Sequence, residues 1–257
     1  MKRFSFFLAL CLPAVVFAQE VKPLNTDTAT KSGSMILRSQ NLPAFKSFIV
    51  PGVLIGYGLL SLGNNPIRSL DYSTRAELQE DHPRFAMHLD NYLQYSPGIA
   101  FYGLNLLGVK SKHSVADGTA LFLLSEAIMT GSVFAVKKLA DRARPDGADN
   151  FSFPSGHTAN AFAAAEFLNQ EYRDVSPWIG YAGYTVATAT GALRMYNNKH
   201  WFSDVVAGAG FGIASTKLAY LLYPHLKKLV IGKADIKYSM VPMYQHKTAG
   251  ILFRGAF

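Results

Sequence analysis

Residues 203–223 read SDVVAGAGFGIASTKLAYLLY. After Asp204 the run carries a single charge, Lys217, and Gly or Ala recurs throughout its first half. Such small side chains let helices approach closely, so the run predicts a helix packed inside a bundle. Its glycines follow no strand, which makes close helix contact a better reading than a phosphate-cradling glycine loop. Three upstream runs share this character. Trp178–Leu193 is rich in Gly, Ala and Thr, Thr158–Leu168 is dense in Ala and contains Glu166, and Val115–Val136 is long and apolar but contains Asp117 and Glu126.

Further out, Phe48–Gly63 (FIVPGVLIGYGLLSLG) is uncharged and is the best membrane-helix candidate, though a little short. Asp71–Gln94 mixes charges with apolar residues at helical intervals and predicts one or two amphipathic helices. Pro97–Val109 is apolar but too short to cross about 30 Å of hydrocarbon unaided. In the tail, Ile236, Tyr238 and Met240 alternate with polar residues, 246–250 reads as a turn, and 251–257 is apolar again. That predicts a β-hairpin. The expected fold is all-α: a membrane-associated bundle of about six core helices with a small C-terminal β-hairpin.

Of the 257 residues, 49% are hydrophobic and only 16% charged, below the usual quarter of soluble domains. Mean hydropathy is +0.12. The net charge of +8 suits anionic lipid surfaces or phosphate substrates. Nucleic acid is a poorer partner, because no basic run interleaves with aromatics. Residues 1–18 read as a secretory signal, with Lys2 and Arg3, an apolar stretch and a small-residue site ending at Ala18. Cleavage there removes Cys11, the only cysteine, and with it any disulfide or cysteine–zinc chemistry. Leu10 is too bulky for the residue expected before a lipid-attachment cysteine.

The chemistry concentrates in three segments: KKLADRARP with Lys137, Arg144 and Pro145; Pro154-Ser155-Gly156-His157; and LRMYNNKHWFSD with Arg194, His200 and Asp204. Lys137 and Arg144 are seven apart, so a continuing helix presents both on one face until Pro145 stops it. Taken alone, the run Lys137, Lys138, Arg142 and Arg144 reads sooner as a solvated basic helix end than as a binding site. Ser155 and Gly156 at a helix start can approach an anion closely, although an ordinary Ser cap has the same signature. His200 and Asp204, four apart, are expected to share a helix face, with the carboxylate bonded to one ring nitrogen and the other left aimed at a substrate. Together these groups suit holding a phosphate and breaking an ester bond to it.

The three segments resemble the signature of the type-2 phosphatidic-acid phosphatase superfamily, which includes lipid phosphate phosphatases, bacterial acid phosphatases and vanadium haloperoxidases. That signature runs Lys, six residues, Arg-Pro; Pro-Ser-Gly-His; and Ser-Arg, five residues, His, three residues, Asp. The chain departs from it at Leu193, where the family has Ser, and in a shorter loop from Pro145 to Pro154. The resemblance implies His200 as nucleophile, Asp204 as its orienting carboxylate and His157 as acid and then base. It also implies Lys137, Arg144, Ser155, Gly156 and Arg194 around the phosphate, with no metal and no other cofactor. The implied function is hydrolysis of a lipid-linked phosphate or pyrophosphate, such as lipid A, an isoprenyl diphosphate or a phosphatidyl headgroup. A soluble periplasmic acid phosphatase, a haloperoxidase and a non-catalytic phospholipid-binding membrane protein are the alternatives. The expected organisation is a signal (1–18), a polar leader (19–46), a helical phosphatase domain (47–225, motif core 115–223) and a tail (226–257). The signal implies an exported site, on the periplasmic side of a cell membrane.

Overall fold

The computed structural model describes residues 45–231, 237–245 and 248–256. The signal segment, Cys11 and nearly all of the polar leader lie outside the described residues. Eight helices follow in order: α1 (Ile49–Leu60), α2 (Pro66–Asp81), α3 (Asp90–Leu93), α4 (Ser96–Leu106), α5 (Val115–Ala140), α6 (Gly156–Tyr172), α7 (Pro177–Tyr196) and α8 (Phe202–Ile231). β1 (Lys237–Gln245) and β2 (Thr248–Ala256) pair antiparallel, from Lys237 opposite Ala256 to Gln245 opposite Thr248. The fold is therefore the expected helical bundle with a terminal hairpin, and α8 runs on past residue 225 to Ile231.

Alanine makes α6 the axis of the bundle. Ala159, Ala161, Ala163 and Ala165 are fully buried, and α4, α5, α7 and α8 all pack against this helix. The glycines of α8 serve the close contact expected of them. A Cβ on Gly208 would stand 2.6 Å from the Ser155 carbonyl oxygen, and one on Gly210 would stand 2.8 Å from the Pro51 carbonyl oxygen on α1. Larger residues at these positions would hold the backbones apart.

Charged residues inside the apolar runs find partners or face inward. Glu166, 2% exposed, pairs with Lys217 of α8 at 2.8 Å and accepts hydrogen bonds from Gln170 and Tyr184. That arrangement spares a buried carboxylate the desolvation penalty of standing alone.

Among the described residues, two helical stretches are long and apolar enough to cross a membrane, Val115–Ala140 and Phe202–Leu229. The strongest sequence candidate, Phe48–Gly63, yields only the 12-residue α1. At 1.5 Å per residue this reaches about 18 Å, well short of about 30 Å of hydrocarbon. The chain leaves the helix after Leu60, with Ser61 at its C-cap, and Asn65 caps α2 through its side chain to the Ile67 and Arg68 N–H groups.

Candidate active site

Helices α5 to α8 run up and down in turn, so the C-terminal end of α5, the start of α6, the end of α7 and the start of α8 share one end of the bundle. Lys137 lies in the last turn of α5, His157 in the first turn of α6, Arg194 in the last turn of α7 and Asp204 in the first turn of α8. Each lies where backbone polar groups are left over and favour an opposite charge.

The link after α5 departs from the expected continuing helix. Asp141 adopts a left-handed conformation (φ 41°) and ends α5 four residues before Pro145. The chain then folds back through a bridge between Arg142 and Phe151, with Ser152 N–H donating to the Arg142 carbonyl. This turn drives Arg142 into the bundle and leaves Arg144 in the loop. Arg142 is thus no solvated helix end: its side chain is 9% exposed and ion-paired to both Asp71 and Asp204.

Ser155 caps α6, its oxygen accepting from Thr158 N–H while sharing a hydrogen bond of 2.9 Å with the Thr158 hydroxyl. Its own N–H donates to the Asp204 carbonyl, which ties the start of α6 to the start of α8. The α6 N-terminus leaves its first N–H groups without intrahelical acceptors, a natural anion seat. Gly156 has no side chain to obstruct it, and a Cβ there would lie 3.9 Å from Lys137 Cε.

His200 precedes α8 rather than lying on it, in the turn that also holds Trp201. Its Nδ1 is 3.6 Å from Asp204 Oδ2, within ion-pair range but beyond a hydrogen bond. Asp204 is instead occupied elsewhere. Oδ1 accepts from Arg142 at 2.7 Å, while Oδ2 accepts from Ser152 Oγ at 2.5 Å and Trp201 N–H at 2.9 Å. His200 is 3% exposed.

The cations are each held by an acceptor. Arg194 Nη1 donates to Asp90 at 2.6 Å, while its Nε is buried and has no partner among the described residues. Arg144 Nε donates to Asp149 at 2.7 Å, and Lys137 Nζ to the Phe151 carbonyl at 2.5 Å. His157 Nε2 lies 2.9 Å from Asn91 Oδ1. Burial, then the charges of Arg194, Arg144 and Lys137, push the His157 pKa down to about 4, with Asp90 opposing them. Burial likewise takes His200 down to about 4, against the pull of Asp204 and with Lys137 and Arg194 adding to the fall. Arg144 Nη1 donates to the Lys199 carbonyl beside His200 at 3.4 Å, the adjacent Asp90 and Asn91 hold Arg194 and His157, and Lys137 reaches Phe151 in the loop that leads to Ser155, so these five side chains gather at one end of the bundle.

Beside Lys137 and Gly156 opens a hollow of about 310 Å³, lined also by Gln94, Tyr95, Met129, Thr130, Val133, Phe134 and Asn160. It follows the apolar face of α5 away from the charged end.

A profile of the PAP2 superfamily, the type-2 phosphatidic-acid phosphatases, matches residues 118–228. The match takes in less than half of the chain. Over 138 residues the chain is 44% identical to the lipid A 1-phosphatase of Porphyromonas gingivalis, covering 53% of this chain and 31% of that protein. The chain thus spans about a third of the length of the curated relative. Two solved structures also align. The PAP2-type phosphatidylglycerolphosphate phosphatase of Bacillus subtilis does so with 20% identity and a TM-score of 0.46, over 70% of this chain and 97% of that one. LpxE of Aquifex aeolicus does so with 22% identity and a TM-score of 0.44, over 57% and 93%.

All eight site residues named from the sequence fall within the PAP2 region. Among the supporting groups that went unnamed are four of note, and three of those, Asp90, Asn91 and (through Arg142) Asp71, lie outside it. The fourth, Arg142, was in view as a solvated cation. Its sequence carries no mark that it, rather than Arg144, turns inward.

Proposed function

We propose that this chain is a phosphatase acting on a phosphorylated lipid at the membrane–water boundary. The observation that carries the reading is the gathering of three cations and two imidazoles at one bundle end, beside an apolar hollow about 310 Å³ in volume. A charged head fits the first and an acyl tail the second. The 44% identity to a lipid A 1-phosphatase supports a lipid A phosphate as the first substrate to try. The exposed apolar side chains of α5, including Leu123, Phe134 and Leu139, support an integral bundle. The signal-like start of the chain supports a site on the exported side.

In this mechanism His200 Nε2 attacks phosphorus in line, and the ester oxygen leaves with a proton from His157. The phosphohistidine is then hydrolysed by a water that His157 deprotonates. Lys137, Arg144, Arg194 and the N–H groups at the start of α6 stabilise the charge on the equatorial oxygens. The unpartnered Nε of Arg194 is a buried donor that an incoming phosphate oxygen would satisfy. A pKa of about 4 keeps His200 neutral, hence nucleophilic, at pH 7. His157 starts equally neutral, but a bound phosphate offsets the three cations and raises its pKa towards that of a usable acid.

The test is phosphate release by the full chain in detergent from phosphorylated lipid A, phosphatidylglycerophosphate, isoprenyl diphosphate and p-nitrophenyl phosphate. Turnover should favour a lipid, persist in EDTA and vanish in His200→Ala. Near-native activity of His200→Ala would remove the nucleophile, and preference for p-nitrophenyl phosphate would remove the lipid assignment.

A further inference from the structure

Asp71, 1% exposed on α2, makes more than one bond towards the site. Its Oδ2 accepts from Arg142 Nη2 at 2.6 Å and from Ser203 Oγ at 2.7 Å, and its Oδ1 accepts from Ser203 N–H at 2.8 Å. Arg142 spends its other terminal nitrogen on Asp204 Oδ1 at 2.7 Å, with further bonds to Ser203 Oγ at 2.9 Å and Ser61 Oγ at 3.2 Å. The planar fork of an arginine fixes the direction of both carboxylates, which a lysine cannot do. Asp204 is therefore aimed by Arg142, Ser152 and the Trp201 N–H, and not by His200, whose Nδ1 is 3.6 Å away and has no hydrogen-bond partner among the described residues.

We propose that Asp71 and Arg142 are positioning residues for phosphoryl transfer: Asp71 holds and partly neutralises Arg142, and Arg142 sets where Asp204 stands and how much negative charge it presents to His200. The inference rests on the reading of His200 as nucleophile. The charged groups that face this ring are Asp204 from α8, Lys137 from α5, Arg194 from α7, Arg142 from the loop, and Asp71 and Arg75 from α2. Without Asp71 the full charge of Arg142 acts on Asp204 and His200, and the imidazole becomes less basic. A buried ion pair that served the fold alone would cost stability when one partner is removed, yet leave kcat and the His200 titration of the folded protein unchanged.

The experiment compares wild type, Asp71→Asn, Arg142→Lys and His200→Ala as full chains in detergent, with phosphorylated lipid A as substrate. In Asp71→Asn, kcat should fall about 10–100-fold, the loss typical when a partner that orients a reacting group is removed, with KM within about twofold. The acid limb of kcat/KM, and the pH midpoint of the His200 ring in 15N spectra assigned with His200→Ala, should both move to lower pH. Arg142→Lys, which keeps the charge without the fork, should lose kcat as well and covers the case in which Asp71→Asn does not fold. A folded Asp71→Asn or Arg142→Lys with wild-type kcat overturns the proposal. So does an Asp71→Asn that loses activity with an unmoved His200 titration. If His200→Ala itself stays active, the nucleophile reading fails instead, and the two failures are told apart.

Discussion

Gly208 offers a severe test of how tightly the site depends on helix contact. It faces the start of α6, where an added Cβ would stand 2.6 Å from the Ser155 carbonyl oxygen, 3.1 Å from Thr158 Cβ and 3.4 Å from the Ala159 nitrogen. A comfortable carbon–oxygen contact is about 3.3 Å, so in Gly208→Ala the two helices must separate by about 0.7 Å. The nearest obstacle is backbone, which has no rotamer to escape into. Overpacking of this kind costs about 1–3 kcal/mol. The displaced segment carries Ser155, Gly156 and His157, and misplacement approaching 1 Å can lower a rate about 100-fold. We expect kcat for phosphate release to fall about 10–100-fold, with a lower unfolding temperature in detergent. Gly131→Ala on α5, where no atom lies within 4 Å, is the control. It should leave activity unchanged and stability within about 1 kcal/mol. A Gly208→Ala protein with native kcat and native melting would refute the packing argument.

Two further expectations follow from the charges. Asp149, 41% exposed, occupies Arg144 at 2.7 Å, so Asp149→Ala should free that cation and tighten inorganic phosphate inhibition by about 2–5-fold, the scale of a partly exposed ion pair. An unchanged or weaker inhibition constant would mean that Arg144 does not meet phosphate. For His200, the unfolded ring takes a proton near pH 6.5 and the folded ring only near 4. Its contribution is thus fully present above pH 6.5 and is lost as pH falls towards 4, to a total of about 3 kcal/mol. Chemical unfolding at pH 7 and pH 5 should show a smaller loss on acidification in His200→Ala than in wild type; equal losses would contradict the assignment.

The bundle, and the meeting of the motif residues at one end of it, were legible because their signals are local. Apolar runs mark α5 to α8, and the motif residues lie at or next to their ends. The partners of those residues were not legible. Asp71, Asp90 and Asn91 lie in a stretch whose charges and apolar residues alternate as on any surface helix, and only tertiary contact decides that Asp71 and Asp90 are buried. Arg142 was hidden for a related reason. The left-handed Asp141 ends α5 early, and the chain after it turns Arg142 inward onto Asp204 and Asp71. The 12-residue α1 misled by composition, since hydropathy reports an apolar run without saying where its helix stops.

The anchoring of Arg194 by Asp90 and of Arg142 by Asp71 bears on how the protein can be cut down. A fragment trimmed to residues 118–228 would retain every motif side chain and read as intact by signature. It would nonetheless shed both carboxylates that brace its arginines, leaving two buried guanidinium groups to find new acceptors, with Asp204 and the reacting phosphate the nearest at hand.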